Sequence, residues 1–320
     1  MPAPSLRKPL SCLLLVLAAT PPLISEACTT FASVGTANKD GGLIMAKNRD
    51  SLAAYEQLTI KREAGKSAYL GLFYNHSNHS PYPYLAAGIN EHGLSVVQNE
   101  SASINNANQF NDKDQSAVLY ELLENYQSVA EVLNDEEKLF GNGMANFLII
   151  GDKTEAILVE VGPNKKQYQI MSARENNNRL YHTNHYVLDS MRSLNQVYYP
   201  DSADRFDTIK AMMQANTSEL TAVGDYYRWV NSAQNGYYDS IIREVTVASW
   251  IAEVPDSGTP QLHVRFTSPS QNFERFQISL TDSFWRDAPT AVKSQPLSGK
   301  GITSEPVGSE RRYRYTEGEL

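Results

Sequence analysis

Beyond residue 27 the apolar positions of this chain come in short clusters. In 28–34, 43–48, 58–62 and 94–99, β-branched and apolar side chains gather over a few residues and are bounded by Gly, Asn, Asp and Lys. That pattern predicts antiparallel strands joined by hairpins. Helical spacing follows in 115–126, 129–139 and 202–214, the last aligning Phe206, Ile209, Met212 and Met213,. Strand character returns in 147–150, 156–161, 245–254 and 261–266. Strands therefore enclose helices along the chain, an order that suits α+β layers rather than βαβ winding. No internal repeat or heptad pattern interrupts it. From 287 to 320 the composition turns to Ser, Pro, Gly and charge, including Arg311-Arg312-Tyr313-Arg314-Tyr315. This segment reads as a polar, flexible tail behind a single domain spanning 28–286.

The first 27 residues follow a different rule. Arg7 and Lys8 precede an apolar run at 10–19, and Ser25-Glu26-Ala27 forms a small-x-small end. This is the signal-peptidase pattern, and it predicts cleavage before Cys28 and a secreted or periplasmic product. A lipoprotein signal also places a cysteine first, but it requires a large aliphatic residue where Ser25 stands,. No later stretch approaches the roughly 20 apolar residues of a membrane helix. The net charge of -8, with dispersed Lys and Arg, argues against a nucleic-acid partner,. Nothing in the pattern fixes an oligomeric state, and a homo-oligomer stays open.

Of the two cysteines, Cys12 lies in the leader, so the exported chain keeps Cys28 without a disulfide partner,. Three readings compete: a buried inert thiol, an intermolecular crosslink, or a nucleophile at the chain terminus. Cleavage favours the third, because it leaves an α-amine, with a reference pKa of about 7.7 to 8.0, beside the thiol as a base. Such a site needs an acid to position the amine and donors for an oxyanion. A hairpin turning at Asn38-Lys39-Asp40-Gly41-Gly42 would return Asp50 beside Cys28. The rival chemistry pairs Cys28 with His182 or His185 in a thiol–imidazole arrangement. His76 with His79, and His182 with His185, have metal-ligand spacing, but neither pair has a third ligand,. Asn75, Asn78, Asn99 and Asn216 open glycosylation sequons,.

Cys28-Thr29-Thr30 followed by Asn48-Arg49-Asp50 resembles the N-terminal nucleophile cysteine hydrolases, which include choloylglycine hydrolases, penicillin V acylases and the acyl-CoA:6-aminopenicillanate acyltransferase group. Gly88-Ile89-Asn90-Glu91-His92-Gly93-Leu94, ending at Asn99, is similar to that superfamily's Asn-Glu-x-Gly-Leu hairpin. His182-Thr183-Asn184-His185 resembles its Thr-Asn element, and Ser202-Ala203-Asp204-Arg205-Phe206 its Ser-x-x-Arg-Phe segment. The resemblance implies an αββα sandwich and hydrolysis of a linear N-acyl amide through a Cys28 thioester. It implies Asp50 as the residue that positions the amine, Asn99 and Asn184 as oxyanion donors, and Arg205 as a cation beside the thiolate. Lys47, Asn48, Tyr82 and Tyr84 are assigned to the binding of a small-molecule substrate, with no cofactor or metal. Choloylglycine hydrolases carry arginine where Lys47 stands, which weakens any expectation of bile-salt specificity. An acyltransferase, a cysteine dipeptidase or a non-catalytic exported binding protein remains an alternative.

Overall fold

The computed structural model describes residues 27–51, 55–75, 84–105, 116–215, 219–233, 240–267, 274–288 and 302–306. Among these residues, two seven-stranded antiparallel sheets face one another. The first contains β1 (Thr29–Val34), β2 (Leu43–Asp50), β10 (Arg179–His182), β11 (Thr246–Val254), β12 (Gln261–Phe266), β13 (Glu274–Ser279) and β14 (Ile302–Pro306), in the order β10-β1-β2-β11-β12-β13-β14. The second runs in chain order: β3 (Tyr55–Lys61), β4 (Tyr69–Asn75), β5 (Tyr84–Asn90), β6 (Ser95–Glu100), β7 (Asn146–Gly151), β8 (Ala156–Val161) and β9 (Tyr168–Ser172).

Alternation along each strand explains the layering. Ala32, Val34, Leu43 and Met45 meet Leu58, Leu70, Ala87, Val97, Phe147 and Leu158 in one core between the sheets. The intervening residues Phe31, Ile44 and Ala46 face outward under the helices Pro200–Ala215 and Val223–Val230. On the other side, Tyr69, Leu85, Val96, Leu148 and Val159 pack under the helix Ala117–Asn125. Both faces of the central strands are buried, so they read as apolar clusters without clean polar alternation. The result is the four-layer α+β sandwich expected from the sequence.

Some boundaries differ. The helical stretch 129–139 breaks at Asp135 into Val129–Asn134 and Glu136–Phe140, with Ser128 capping the first piece by accepting from Glu131 N at 3.3 Å,. Within the segment 287–320, expected to be a tail, β14 pairs with β13 from Glu274↔Pro306 to Ile278↔Ile302. The first sheet thus extends past residue 286. Tyr82, His76, His79, Asn78 and Asn216 lie outside the described residues.

The β1–β2 hairpin aligns the site. Its register runs from Val34↔Leu43 to Thr29↔Asn48, which brings Cys28 to the level of Arg49 and Asp50. The turn is held by Asn38, whose Nδ2 donates to Ser33 O and Gly42 O at 2.9 Å each. Gly42 adopts φ +62, and a Cβ there would lie 2.1 Å from the backbone oxygen of Val254 on the neighbouring strand. Gly35 also has positive φ, +59, but open space around it. Gly35→Ala should therefore cost about 1–2 kcal/mol, the left-handed penalty alone, and Gly42→Ala at least about 1 kcal/mol more. Urea unfolding of both variants tests this, and equal losses would show that the close approach to Val254 does not matter.

Candidate active site

The end of β2 carries Lys47-Asn48-Arg49-Asp50, and alternation sends these side chains to opposite faces,. Asp50 is fully buried. Its Oδ2 accepts from Arg243 Nε at 3.0 Å and Nη2 at 2.5 Å, and its Oδ1 accepts from Thr246 Oγ1 at 2.5 Å. Thr246 opens β11 opposite Asp50, and a register shift between Thr246 and Ala248 marks a bulge at that point. A bulge re-aims side chains where a site is built.

Arg243 reaches further. Its Nη2 donates to Ala27 O at 3.1 Å and its Nη1 to Asp201 Oδ1 at 2.5 Å. Asp201 sits in the first turn of Pro200–Ala215, one helical turn before Arg205, and the same Oδ1 accepts from Arg205 Nε at 3.0 Å,. Arg205 in turn donates from Nη1 to Cys28 O at 2.7 Å and Thr29 Oγ1 at 2.8 Å, and from Nη2 to Asn184 Oδ1 at 3.1 Å. Two arginines and two aspartates thus form one buried, charge-balanced chain. It ends on the carbonyls on either side of the Ala27–Cys28 bond. Burial opposes the charged form of Arg243, and the Asp50 and Asp201 carboxylates overcome it, raising its pKa.

Cys28 is the free cysteine among the described residues and is 7% exposed. It lines a narrow cleft with Lys47, Arg49, Tyr74, Leu85, Ala86, Gln98 and Glu100. Arg49 lies over the Tyr74 ring at 3.6 Å and pairs with Glu56 at 2.9 Å. Tyr84 is half-buried behind this wall, its ring 5.4 Å from that of Tyr74.

Of the residues expected from the sequence, Cys28, Asp50, Asn184 and Arg205 come together. Asn184 donates from Nδ2 to Glu100 O at 3.1 Å and keeps a second amide hydrogen,. Asn99 is close by but turned. Its Nδ2 is engaged by Thr30 Oγ1 at 2.9 Å, Thr183 O at 3.0 Å and His182 O at 3.3 Å, while its oxygen accepts from Lys47 Nζ at 3.2 Å. Those partners fix the amide orientation, since carbonyl oxygens demand the NH2 and an ammonium demands the oxygen. With its donors committed, Asn99 braces β6 (Ser95–Glu100) against β1 and does not offer a hydrogen to the cleft. Its 1% exposure also closes it as a glycosylation site in the folded chain.

Asn48 faces the helix layer, away from the cleft. Its Nδ2 holds Val230 O at 2.8 Å and Ile241 O at 2.9 Å, fixing the segment that leads to Arg243. The histidines have other partners too. His182 lies between Glu160 and Thr183 O at 2.8 Å each, and His185 Nδ1 is 2.8 Å from Ser202 Oγ. Among the described residues, no group of three or more His, Cys, Asp or Glu could hold a metal ion. Arg243, Asp201 and Thr246 were not foreseen. The i,i+4 spacing of Asp201 and Arg205 was a readable signal, whereas Arg243 becomes visible only once β11 is paired with β2.

Residues 36–252 match the model of the acyl-coenzyme A:6-aminopenicillanic acid acyl-transferase family, more than half of the chain. The chain belongs to that family. No curated protein matches it. Among solved structures, a mutant of the conjugated bile acid hydrolase from Clostridium perfringens is similar at TM-score 0.50 and 14% identity, over 88% of this chain and 97% of that one. A second variant of the same hydrolase matches at TM-score 0.50 and 13% identity, over 91% and 100%. At such identity the likeness concerns the fold. The acyltransferase-family chain thus shares its layered sheets with the bile acid hydrolase.

His185 yields a pH prediction. Burial, with His182 and Arg205 nearby, lowers its pKa to about 4 from 6.5. Burial lowers His263 to about 4 as well. Both are neutral in the fold, and the unfolded chain takes up a proton at each below about pH 6.5. Their contribution is full above that pH and is lost as pH falls toward 4. Denaturant midpoints measured between pH 6.5 and 5 should fall with pH, less steeply in His185→Asn. An unchanged slope would show that His185 binds its proton equally in both states.

Proposed function

We propose that the chain is an exported amidase that cleaves a linear N-acyl amide with Cys28 as N-terminal nucleophile, after removal of residues 1–27 from a single domain beginning at Cys28. The observation that carries this reading is the grip on the Ala27–Cys28 junction. Arg243 holds Ala27 O, Arg205 holds Cys28 O, and Asp50 lies on the same arginine as Ala27. Burying this much charge stabilises a fold weakly. Its concentration at the predicted cleavage junction supports a positioning role for the new terminus.

In this reading the Cys28 thiol gives its proton to the α-amine, which Asp50 orients. The thiolate adds to the substrate carbonyl carbon, and the electron pair moves to oxygen. As the tetrahedral adduct collapses, the carbon–nitrogen bond breaks and the α-ammonium returns the proton to the leaving amine. Water, deprotonated by the same amine, then hydrolyses the thioester. Leu85, Ala86 and Tyr74 offer the acyl group an apolar wall. Membership of an acyltransferase family favours a second outcome, in which an amine takes the acyl group in place of water.

Cys28→Ala should abolish both turnover and labelling, and wild-type protein incubated with penicillin V or an N-acyl glycine should gain the acyl mass on Cys28 before releasing it. Intact-mass spectrometry reads both. Turnover persisting in the alanine variant would remove Cys28 from the mechanism, and binding without an adduct would favour a non-catalytic binding protein.

A further inference from the structure

We propose that Lys47, rather than Asn99, supplies the charge that stabilises the tetrahedral oxyanion, a role that rests on Cys28 being the nucleophile. Lys47 is 1% exposed and lines the cleft beside Cys28. Its ammonium has three N–H donors. One goes to Gln98 O at 2.5 Å and one to Asn99 Oδ1 at 3.2 Å, both neutral oxygens, and the third has no acceptor among the described residues. Among the described residues it forms no ion pair, unlike Arg49 in the same cleft, which is bound to Glu56. Removing an ammonium from water without an anion is costly. A buried cation held by two oxygens, with one donor spare beside a nucleophile, lacks only a negative charge.

The register shows where that charge arises. Lys47 is opposite Thr30 on β1, and residues 28 and 30 share a face of the strand,. The acceptors Gln98 and Asn99 belong to β6 in the other sheet. Lys47 therefore bridges the two sheets beneath the nucleophile, and Asn99 acts by fixing the ammonium. No hydrogen bond joins Cys28 Sγ to Lys47 Nζ. In the step, the thiolate adds to the carbonyl carbon, the carbon–oxygen π pair becomes the oxyanion, and the third N–H of Lys47 donates a hydrogen bond without transferring its proton. Asn184 contributes its spare amide hydrogen.

Two reagents separate this role from activation of the thiol. p-Nitrophenyl butyrate acylates Cys28 through an oxyanion, whereas iodoacetamide alkylates it by displacement and forms none. On the mature protein at saturating pH, Lys47→Met and Lys47→Gln should slow p-nitrophenolate release by about 10²- to 10³-fold. Alkylation should change less than about threefold, which also reports an intact site, and Lys47→Arg should recover most of the acylation rate. Parallel loss of both reactions would mean that Lys47 acts on the thiolate, and no loss of acylation would remove it from the chemistry; either overturns the assignment. Release that is undiminished in Cys28→Ala would instead overturn the nucleophile, and Lys47's role with it.

Discussion

The site depends on a carboxylate that cannot be left alone. Asp50 is completely buried at the end of β2, and Arg243 meets it with two nitrogens, Nε at 3.0 Å and Nη2 at 2.5 Å. A charged pair at this depth is tolerated only when geometry and further hydrogen bonds offset desolvation. Here Thr246, Asp201 and the Ala27 carbonyl supply them. Because Asp201 also binds Arg205, the same network fixes Cys28, Thr29 and Asn184. The ion network is thus the connection between the hairpin that follows Cys28, the helix Pro200–Ala215 and the start of β11.

The rest of the fold serves that alignment. β1 and β2 lie inside the first sheet, covered on one face by the facing sheet and on the other by helices. Groups held on central strands are positioned more rigidly than groups on loops. Lys47 and Asn99 close the site from below by joining the two sheets. The cleft therefore combines an apolar wall, a committed arginine and an ammonium with a free donor.

Much of this was legible in the chain. The leader-like pattern directed attention to Cys28, the Gly-rich turn identified the hairpin, and the hairpin returned Asp50 to the level of Cys28. Strand existence was readable where apolar clusters had turn residues at both ends, and less so at β10 and β13, which depend on their neighbours. Side-chain direction was not readable. Lys47 and Asn48 are adjacent, yet alternation sends one to the cleft and the other to the helices, and which goes where is decided by the sheet's place in the sandwich. Asn99 shows the same limit at the scale of one amide, since its two ends are distinguished by the carbonyls of His182 and Thr183 on one side and Lys47 on the other. Arg243 was hidden for a different reason. Its partner Asp50 lies 193 positions earlier, and only the pairing of β11 with β2 joins them.

The central claim is that Asp50 and Arg243 act as one unit in holding the terminus proposed to form at Cys28. A double-mutant cycle on kcat/KM for a Cys28-dependent amide measures this directly, using Asp50→Ala, Arg243→Ala and the pair. The account predicts strong non-additivity, with the double variant about as impaired as the worse single one and a coupling energy of about 2–3 kcal/mol. Losses that simply multiply would contradict it, because they would mean that each residue contributes to turnover independently of the other.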